Sequence, residues 1–259
     1  MKKHTQLTLI LVVSVLTLGL CCQSAYSHEK QWDYSLTPYL WFASIDGEYM
    51  NATVTRTASA DFGDLLDDLN MGLLLNFEAW KMDSHWGVGG DLMYVDFEKY
   101  DDGGELTPEI EVGALDLMVA YRFGGHPPAS DSGFAFDLCG GIRLWRINAG
   151  MEVENTVTLG ARVETWQPFI GARLMWEPSD KWLIRLSAKY GILDGTEISG
   201  LDGDLNSWDL YGGVGYYITE NTSLNVGYRW LDINVEADDR PTELDIEVYG
   251  PTLELTFNF

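Results

Sequence analysis

The stretch Trp166–Glu177, with the sequence WQPFIGARLMWE, decides the fold class of this chain of 259 residues. An apolar set of side chains occupies every second position from Trp166 to Trp176, and a mixed set containing Arg173 occupies the positions between. Alternation with this period predicts a β-strand with two unlike faces. At roughly 3.3 Å per residue and a tilt near 40°, the two tryptophans differ in height by about 25 Å. The stretch therefore predicts a strand that crosses a membrane with an aromatic side chain at each interface.

Nine other stretches repeat this alternation. The ten predicted strands are Trp32–Ile45, Met71–Lys81, Val88–Phe97, Ile110–Phe123, Phe134–Ile147, Trp166–Glu177, Trp182–Ile192, Trp208–Ile218, Ser223–Ile233 and Leu244–Phe259. Short connections alternate with long ones, which is typical of barrels with short periplasmic turns and long extracellular loops. We therefore predict an all-β fold, a closed antiparallel transmembrane β-barrel of about ten strands, in one domain over residues 28–259. An extra hairpin around Ala52–Ala60 would make twelve strands, and eight strands would require two of the ten to be loops.

The N-terminal residues have the features of a secretory signal. Lys2 and Lys3 precede the apolar run Leu7–Leu20, and Ala25 and Ser27 place small residues at a cleavage site. The run is shorter than the roughly 20 residues of a spanning helix. We expect residues 1–27 to be a cleaved signal peptide and the mature chain to reach the bacterial outer membrane through the secretory pathway. A lipoprotein signal at Cys21 or Cys22 is the weaker interpretation, because no small residue stands directly before either cysteine.

Composition excludes several classes of protein. The formal net charge of −24 argues against nucleic-acid binding, which needs Lys and Arg against phosphates. An aromatic content of 13% and a hydrophobic content of 46% argue against disorder. Cys139 is the one cysteine beyond the predicted signal, so we expect no internal disulfide.

If the apolar faces contact lipid, the opposite faces line the lumen. The predicted lumen-lining acids are Glu78, Asp91, Asp116, Asp137, Glu177, Asp209 and Glu254, and the predicted bases are Arg122, Arg143, Arg173, Arg185, Lys189 and Arg229. We favour a salt-bridge network that fills a narrow lumen. The alternative is a polar conduit with acids on one wall and bases on the other. Ten strands enclose far less room than the 16 to 18 of porins, so we do not expect a general diffusion porin.

Two further sets of residues relate to the membrane. The predicted interface aromatics are Trp166, Trp176, Trp182, Tyr190 and Trp230. The terminal residues Leu253, Leu255, Phe257 and Phe259 alternate up to a final phenylalanine. This end resembles the terminal signal of bacterial outer-membrane barrels, which implies recognition by the barrel assembly machinery.

The long connections are strongly acidic, which favours a solvated rim around the barrel mouth. The alternative is that they bind divalent cations, which could bridge to lipopolysaccharide phosphates, since oxygen ligands suit Ca²⁺ or Mg²⁺. Within the first connection, Phe62–Leu69 is either a plain loop or a short amphipathic helix that caps or plugs the lumen. We find no dedicated metal site and no cofactor motif.

The histidines argue against an enzyme. Beyond the predicted signal they are His28, His85 and His126, and none lies mid-strand on an outer face beside a serine, where a lipid ester could reach it. GxSxG turns, phosphate loops and zinc-binding helix motifs are absent from the sequence. We predict a non-enzymatic barrel with a structural or surface-interaction role among outer-membrane lipids and lipopolysaccharide. A narrow channel for small or cationic solutes is the alternative, and a lipid-modifying enzyme is the third choice.

One group of known proteins resembles the first third of the chain. The residues that carry the likeness are Thr37–Trp41, Phe62–Leu69, Phe77–Ala79, Trp86 and Asp91–Asp96. They resemble a widespread group of small bacterial outer-membrane barrels that has no settled activity. More loosely, the chain resembles the transmembrane domain of the outer-membrane-protein-A type. These resemblances imply the fold and the location, and they imply no catalytic residue.

Overall fold

The computed structural model describes residues 31–50, 55–60, 63, 69–98, 107–124, 133–153, 157–198, 201–237 and 243–259. The predicted signal peptide, most of Phe62–Leu69, His28 and His126 lie outside these residues. The strands are β1 Trp32–Trp41, β2 Ser44–Met50, β3 Thr55–Ala60, β4 Leu69–Lys81, β5 Trp86–Glu98, β6 Thr107–Gly124, β7 Phe134–Val153, β8 Val157–Ser179, β9 Trp182–Ile198, β10 Leu201–Thr219, β11 Thr222–Ala237 and β12 Glu243–Asn258.

Ten of these strands form the closed antiparallel barrel that the sequence predicts. Strands β4 to β12 pair in chain order, and β1 closes the ring by pairing with both β4 and β12. Phe259 extends the pairing between β1 and β12, because Phe259 and Tyr34 exchange backbone hydrogen bonds of 2.9 and 3.0 Å. Closure leaves no sheet edge within the membrane, where an unpaired peptide group would find no water.

The strand Trp32–Ile45 predicted from the sequence is in fact two strands. The strand is interrupted at Phe42 and Ala43. After the interruption, β2 pairs with β12, and β3 pairs with β2. Gly250 of β12 permits the break, since a β-carbon there would lie 2.1 Å from the Phe42 carbonyl oxygen. The hairpin β2–β3 occupies part of the first long connection predicted from the sequence. It overlaps the region around Ala52–Ala60, where the alternative of twelve strands placed an extra hairpin. It extends the wall and adds no strand to the closed ring.

The predicted long connections at residues 148–165 and 193–207 are also strand for most of their length. Residues 148–165 were predicted as a loop, yet β7 continues to Val153 and β8 begins at Val157. Strand β8 has 23 residues, which at about 3.3 Å each and a tilt near 40° rise about 55 Å. The apolar band of an outer-membrane barrel is about 25 Å tall. The barrel therefore extends well beyond the membrane at the end opposite its termini, which is the extracellular end.

The outer face of the barrel changes polarity along the strands. On β11, Val226 and Tyr228 are apolar and more than half exposed, whereas Asp232 and Glu236 follow on the same face. On β12, Leu253 is likewise followed by Glu247 nearer the extracellular end. The outer face thus suits lipid in the periplasmic half and water in the extracellular half.

The inner face changes in the opposite sense. On β11, Asn225 and Arg229 line the lumen in the periplasmic half, and Leu231 and Ile233 line it above them with exposures of 1% and 3%. The inner face is therefore polar in the periplasmic half and apolar in the extracellular half. There the barrel stands in water, so its apolar side chains turn inward as in a water-soluble protein.

Inward apolar side chains form a continuous cluster in this half, which we call the extracellular core. Its buried members are Tyr39, Trp41, Met93, Ala114, Trp145, Leu205, Leu231 and Ile233. Further apolar residues of β4, β5, β6, β9, β11 and β12 pack around them.

Candidate functional site in the barrel lumen

At mid-height the lumen is crossed by three acids and three bases, which we call the central ion cluster. Its members are Asp91, Asp116, Arg143, Lys189, Asp209 and Arg229. Their side chains are between 3% and 11% exposed. The cluster is electrically neutral, which is how ionised groups are accommodated where water is scarce.

The contacts of the cluster run from strand to strand across the lumen. Arg143 donates from Nε and Nη2 to the two carboxylate oxygens of Asp116 at 2.6 and 2.9 Å, and from Nη2 to Asp209 at 2.8 Å. Arg229 donates to both oxygens of Asp209 at 2.9 and 2.8 Å and to Asp91 at 3.0 Å. Lys189 Nζ lies 2.7 Å from an Asp116 oxygen. These charge-assisted bonds connect opposite walls and hold the barrel closed at this height.

A second group of charges lies nearer the periplasmic end. Arg122 forms a two-point bond with Asp137 at 2.7 and 2.9 Å, and Arg173 donates to Asp137 at 2.9 Å and also to Glu78. The Arg122 guanidinium carbon lies 3.6 Å from the centroid of the Trp80 ring. The aromatic face therefore contributes to a cation–π contact in addition to the ion pairs.

The last three predicted lumen charges also have partners inside the barrel. Arg185 pairs with Glu254, and Glu177 accepts a hydrogen bond from the Tyr217 hydroxyl at 2.7 Å. Twelve of the thirteen predicted charges therefore form ion pairs inside the barrel, and the thirteenth, Glu177, is held by the Tyr217 hydroxyl. Acids and bases interleave around the ring and do not form two walls of opposite sign.

Sequence reasoning missed the uncharged members of this network. Gln167 is completely buried, accepts from Trp145 Nε1 at 3.1 Å and from the Ser207 hydroxyl at 2.7 Å, and donates to the Leu205 carbonyl at 2.9 Å. It therefore connects polar Ser207 to the extracellular core. Gln167 lies on the same face of β8 as Arg173, so the alternation of the strand already placed it in the lumen. An uncharged amide does not indicate an ion pair, and for this reason its role was not predicted.

A cavity of about 190 Å³ lies in the periplasmic half, beside and below the central ion cluster. Its walls include Thr37, Glu78, Arg173, Arg185 and Thr256. It is large enough for several water molecules and is lined by groups that can bind them. Its lining includes Asp209 and Arg229 of the cluster but only Tyr39 of the extracellular core. The polar cavity therefore extends from the periplasmic half to mid-height, where the buried ion pairs of the central ion cluster bound it.

The predicted interface aromatics all lie on the outer face. Trp166, Trp176 and Trp182 are exposed, and Tyr190 and Trp230 are half-buried. In the terminal row, Leu253 is exposed, Leu255 and Phe259 are half-buried, and Phe257 is only 2% exposed.

Other features bear on metal binding, catalysis and helical spans. Among the residues that the structure describes, no group of three or more His, Cys, Asp or Glu side chains could hold a metal ion. The only histidine in the described ranges is His85, in the turn between β4 and β5. In the same ranges, no helix has the length and apolar character needed to cross a membrane.

Comparison with known proteins supports the fold class. No protein-family model matches the chain, and no curated protein matches it in sequence. The solved structure of the outer membrane protease OmpT from Escherichia coli is 10% identical, with a TM-score of 0.55 over 91% of this chain and 99% of that one.

Two other solved barrels are similar at lower scores. Ail of Yersinia pestis is 9% identical over 89% of this chain and 100% of its own, with a TM-score of 0.40. OprG of Pseudomonas aeruginosa is 12% identical over 90% and 98%, with a TM-score of 0.38.

The closed ring, the lipid-facing periplasmic half and the likeness to OmpT define the class of this protein. It has the fold of the small outer-membrane β-barrel proteins, with a closed antiparallel ten-stranded ring. The likeness to OmpT, at 10% identity, shows the fold alone, and a fold by itself assigns no activity.

Proposed function

We propose that this protein is a non-conducting, non-enzymatic barrel that holds a rigid acidic wall outside the outer membrane, where it serves surface interaction or envelope structure. The observation that carries the proposal is the pair of successive barriers in the lumen. The neutral central ion cluster lies at mid-height, and the extracellular core lies above it. A solute would have to break buried ion pairs and then displace packed apolar side chains.

The extracellular half supplies the surface. Its outer face carries a row of carboxylates, in which Glu247 lies between Asp46 and Asp232 on neighbouring strands. Because continuous strands and an apolar core support this face, it is a rigid platform and not a set of loose loops. Such a surface suits contacts outside the membrane more than it suits transport.

Conductance in planar lipid bilayers tests the closed lumen. We expect the folded protein to give no single-channel steps at voltages where an open porin, run as the control, conducts steadily. A matched variant that removes bulk from the extracellular core, Trp145→Ala with Leu231→Ala, retains the ion cluster and is also expected to be silent. Steps from the unaltered protein that disappear on Arg173→Glu would instead support a channel for small or cationic solutes.

The absence of enzymatic activity has its own test. Lipid A and phospholipids from cells with and without the protein would be compared by mass spectrometry. We expect identical acyl patterns, since His85 lies in a turn, away from mid-strand positions on the lipid-facing wall. A protein-dependent change in acyl chains would contradict this part of the proposal.

Export and assembly complete the proposal. We propose cleavage after Ser27, which a mature mass beginning at His28 would support. We also propose that the assembly machinery reads the terminal strand and that divalent cations associate with the acidic wall. Pull-down of the assembly machinery and calcium titration of the purified barrel would test these two partners.

A further inference from the structure

The lipid-facing surface of the barrel is not uniform, because it contains an apolar groove of about 430 Å³ across strands β4 to β7. Gly90 and Gly140 lie in its floor, and Phe77, Leu117 and Ile142 stand around it. On each glycine-bearing strand, the outer face continues with large apolar side chains on both sides. The groove is therefore part of the face that contacts hydrocarbon.

The height of the groove follows from the sequence of each strand. On β5, Gly90 lies midway between the outer-face aromatics Trp86 and Tyr94. On β7, Gly140 lies midway between Phe134 and Arg146, which are exposed at the two ends of the lipid-facing row. The groove is thus at the middle of the bilayer, where acyl chains are the only abundant filling.

Internal packing does not require these two glycines. A β-carbon at Gly140 would have its nearest neighbour at 3.7 Å, and one at Gly90 at 3.4 Å, which are ordinary contact distances. By contrast, a β-carbon at Gly141, which faces the lumen, would lie 2.0 Å from the Leu117 carbonyl oxygen. Larger residues would fit at the two outward positions, so the groove is not a by-product of tight strand packing.

We propose that this groove is a binding site for one acyl chain of a phospholipid from the periplasmic leaflet. An unfilled groove would leave its walls without dispersion contacts, and a chain lying along it restores them. The assignment to the periplasmic leaflet rests on charge. The turn below the groove offers Lys81 and His85 beside Asp83, whereas the outer face above it carries Glu111 and Glu164 around Arg146. The turn is neutral overall because Lys81 offsets Asp83, whereas the upper face is net negative because Arg146 offsets only one of its two glutamates. A phosphate is therefore repelled less at the turn.

Photo-crosslinking tests the site. The folded protein is reconstituted in phosphatidylethanolamine–phosphatidylglycerol vesicles that contain a phospholipid with a diazirine near the end of one acyl chain. Labelled peptides are then mapped by mass spectrometry. We expect a several-fold excess of label around Gly90, Leu117 and Gly140 over the opposite wall around Val214.

Two variants and a control make the result specific. Gly90→Leu with Gly140→Leu fills the groove and should reduce the local label to the level of the opposite wall. Leu117→Ala widens the groove and should retain or raise the label, which keeps the test decisive if the double variant does not fold. Val214→Leu, on the opposite wall, should change nothing at the groove.

Three outcomes would overturn the proposal. Uniform label around the barrel would mean that the groove holds no particular chain. Excess label from a diazirine on lipid A, with none from the phospholipid, would assign the groove to the outer leaflet. Crosslinks between grooves of two protein copies, in place of lipid adducts, would make the groove a protein–protein contact. None of these outcomes depends on whether the lumen conducts.

Discussion

The same strands run through both halves of this barrel, but their apolar side chains face outward in the periplasmic half and inward in the extracellular half. In the periplasmic half, the outer face is apolar and the lumen holds buried ions such as Arg122 and Asp137, 4% and 0% exposed. In the extracellular half, Arg146 pairs outside with Glu111 and Glu164 at 3.6 and 3.7 Å and is 56% exposed, while the lumen is apolar. The side chains exchange faces where the surroundings change from lipid to water.

The comparison shows that ion pairs have different consequences in the two halves. A buried pair in a dry lumen depends on every member, because removing one leaves a charge without a partner or water. An exposed pair such as Arg146–Glu111 is screened by solvent and contributes about 0–1 kcal/mol. Acidic and basic residues therefore hold the barrel wall together inside the lumen, whereas on the extracellular outer face they form a solvated surface that contributes little to stability.

The largest expected effect is at the central ion cluster. Asp209→Asn removes the charge shared by Arg143 and Arg229, so we expect the free energy of unfolding to fall by about 3–5 kcal/mol. Denaturant titration in lipid vesicles would measure this change. The matched control is Glu236→Gln on the extracellular outer face. Glu236 lies opposite Glu243 and Asp204, so this change should leave the stability unchanged or raise it by up to about 1 kcal/mol. Equal effects of the two changes would contradict the distinction between the halves.

A smaller effect tests where lipid ends on β11. Val226→Arg places a cation on the lipid-facing part of the strand and should cost about 2–4 kcal/mol if it lies near the midplane. Asp232→Arg lies on the same face six residues further along, beyond Trp230, and places an opposite charge beside Glu247. It should therefore not destabilise the barrel and should stabilise it by up to about 1 kcal/mol. Unfolding in the same vesicles would compare them. A similar cost for both would move the membrane boundary above Asp232.

The smallest expected effect concerns the acidic row on the outer wall. Glu247 lies directly opposite Asp46 on one neighbouring strand and Asp232 on the other. Like charges so placed destabilise a sheet, so Glu247→Gln should stabilise the barrel by about 0.2–1 kcal/mol. The gain should shrink at high salt because the repulsion is screened. Unfolding at low and high salt measures it, and Glu111→Gln, which loses a pairing with Arg146, should show no such gain.

The sequence predicted the ring because its signal is local. Alternation within Trp166–Glu177 and its nine counterparts needs only the period of a strand, and all thirteen proposed lumen charges follow from counting by twos from the apolar face. The same counting failed for the predicted loop at residues 148–165. The outward apolar row that marks a membrane-spanning strand does not continue above the membrane, where the apolar side chains of the extracellular core face inward.

The chain by itself determined the class of fold, the direction of the strands and which face each charge occupies, because these depend on neighbours two residues apart. Tertiary structure decided that Arg229 meets Asp91, that Arg143 meets Asp209, that Gln167 reaches Ser207, and that apolar residues of many strands close the lumen above them. Those contacts depend on register between strands far apart in sequence. Register is set only when the whole ring closes.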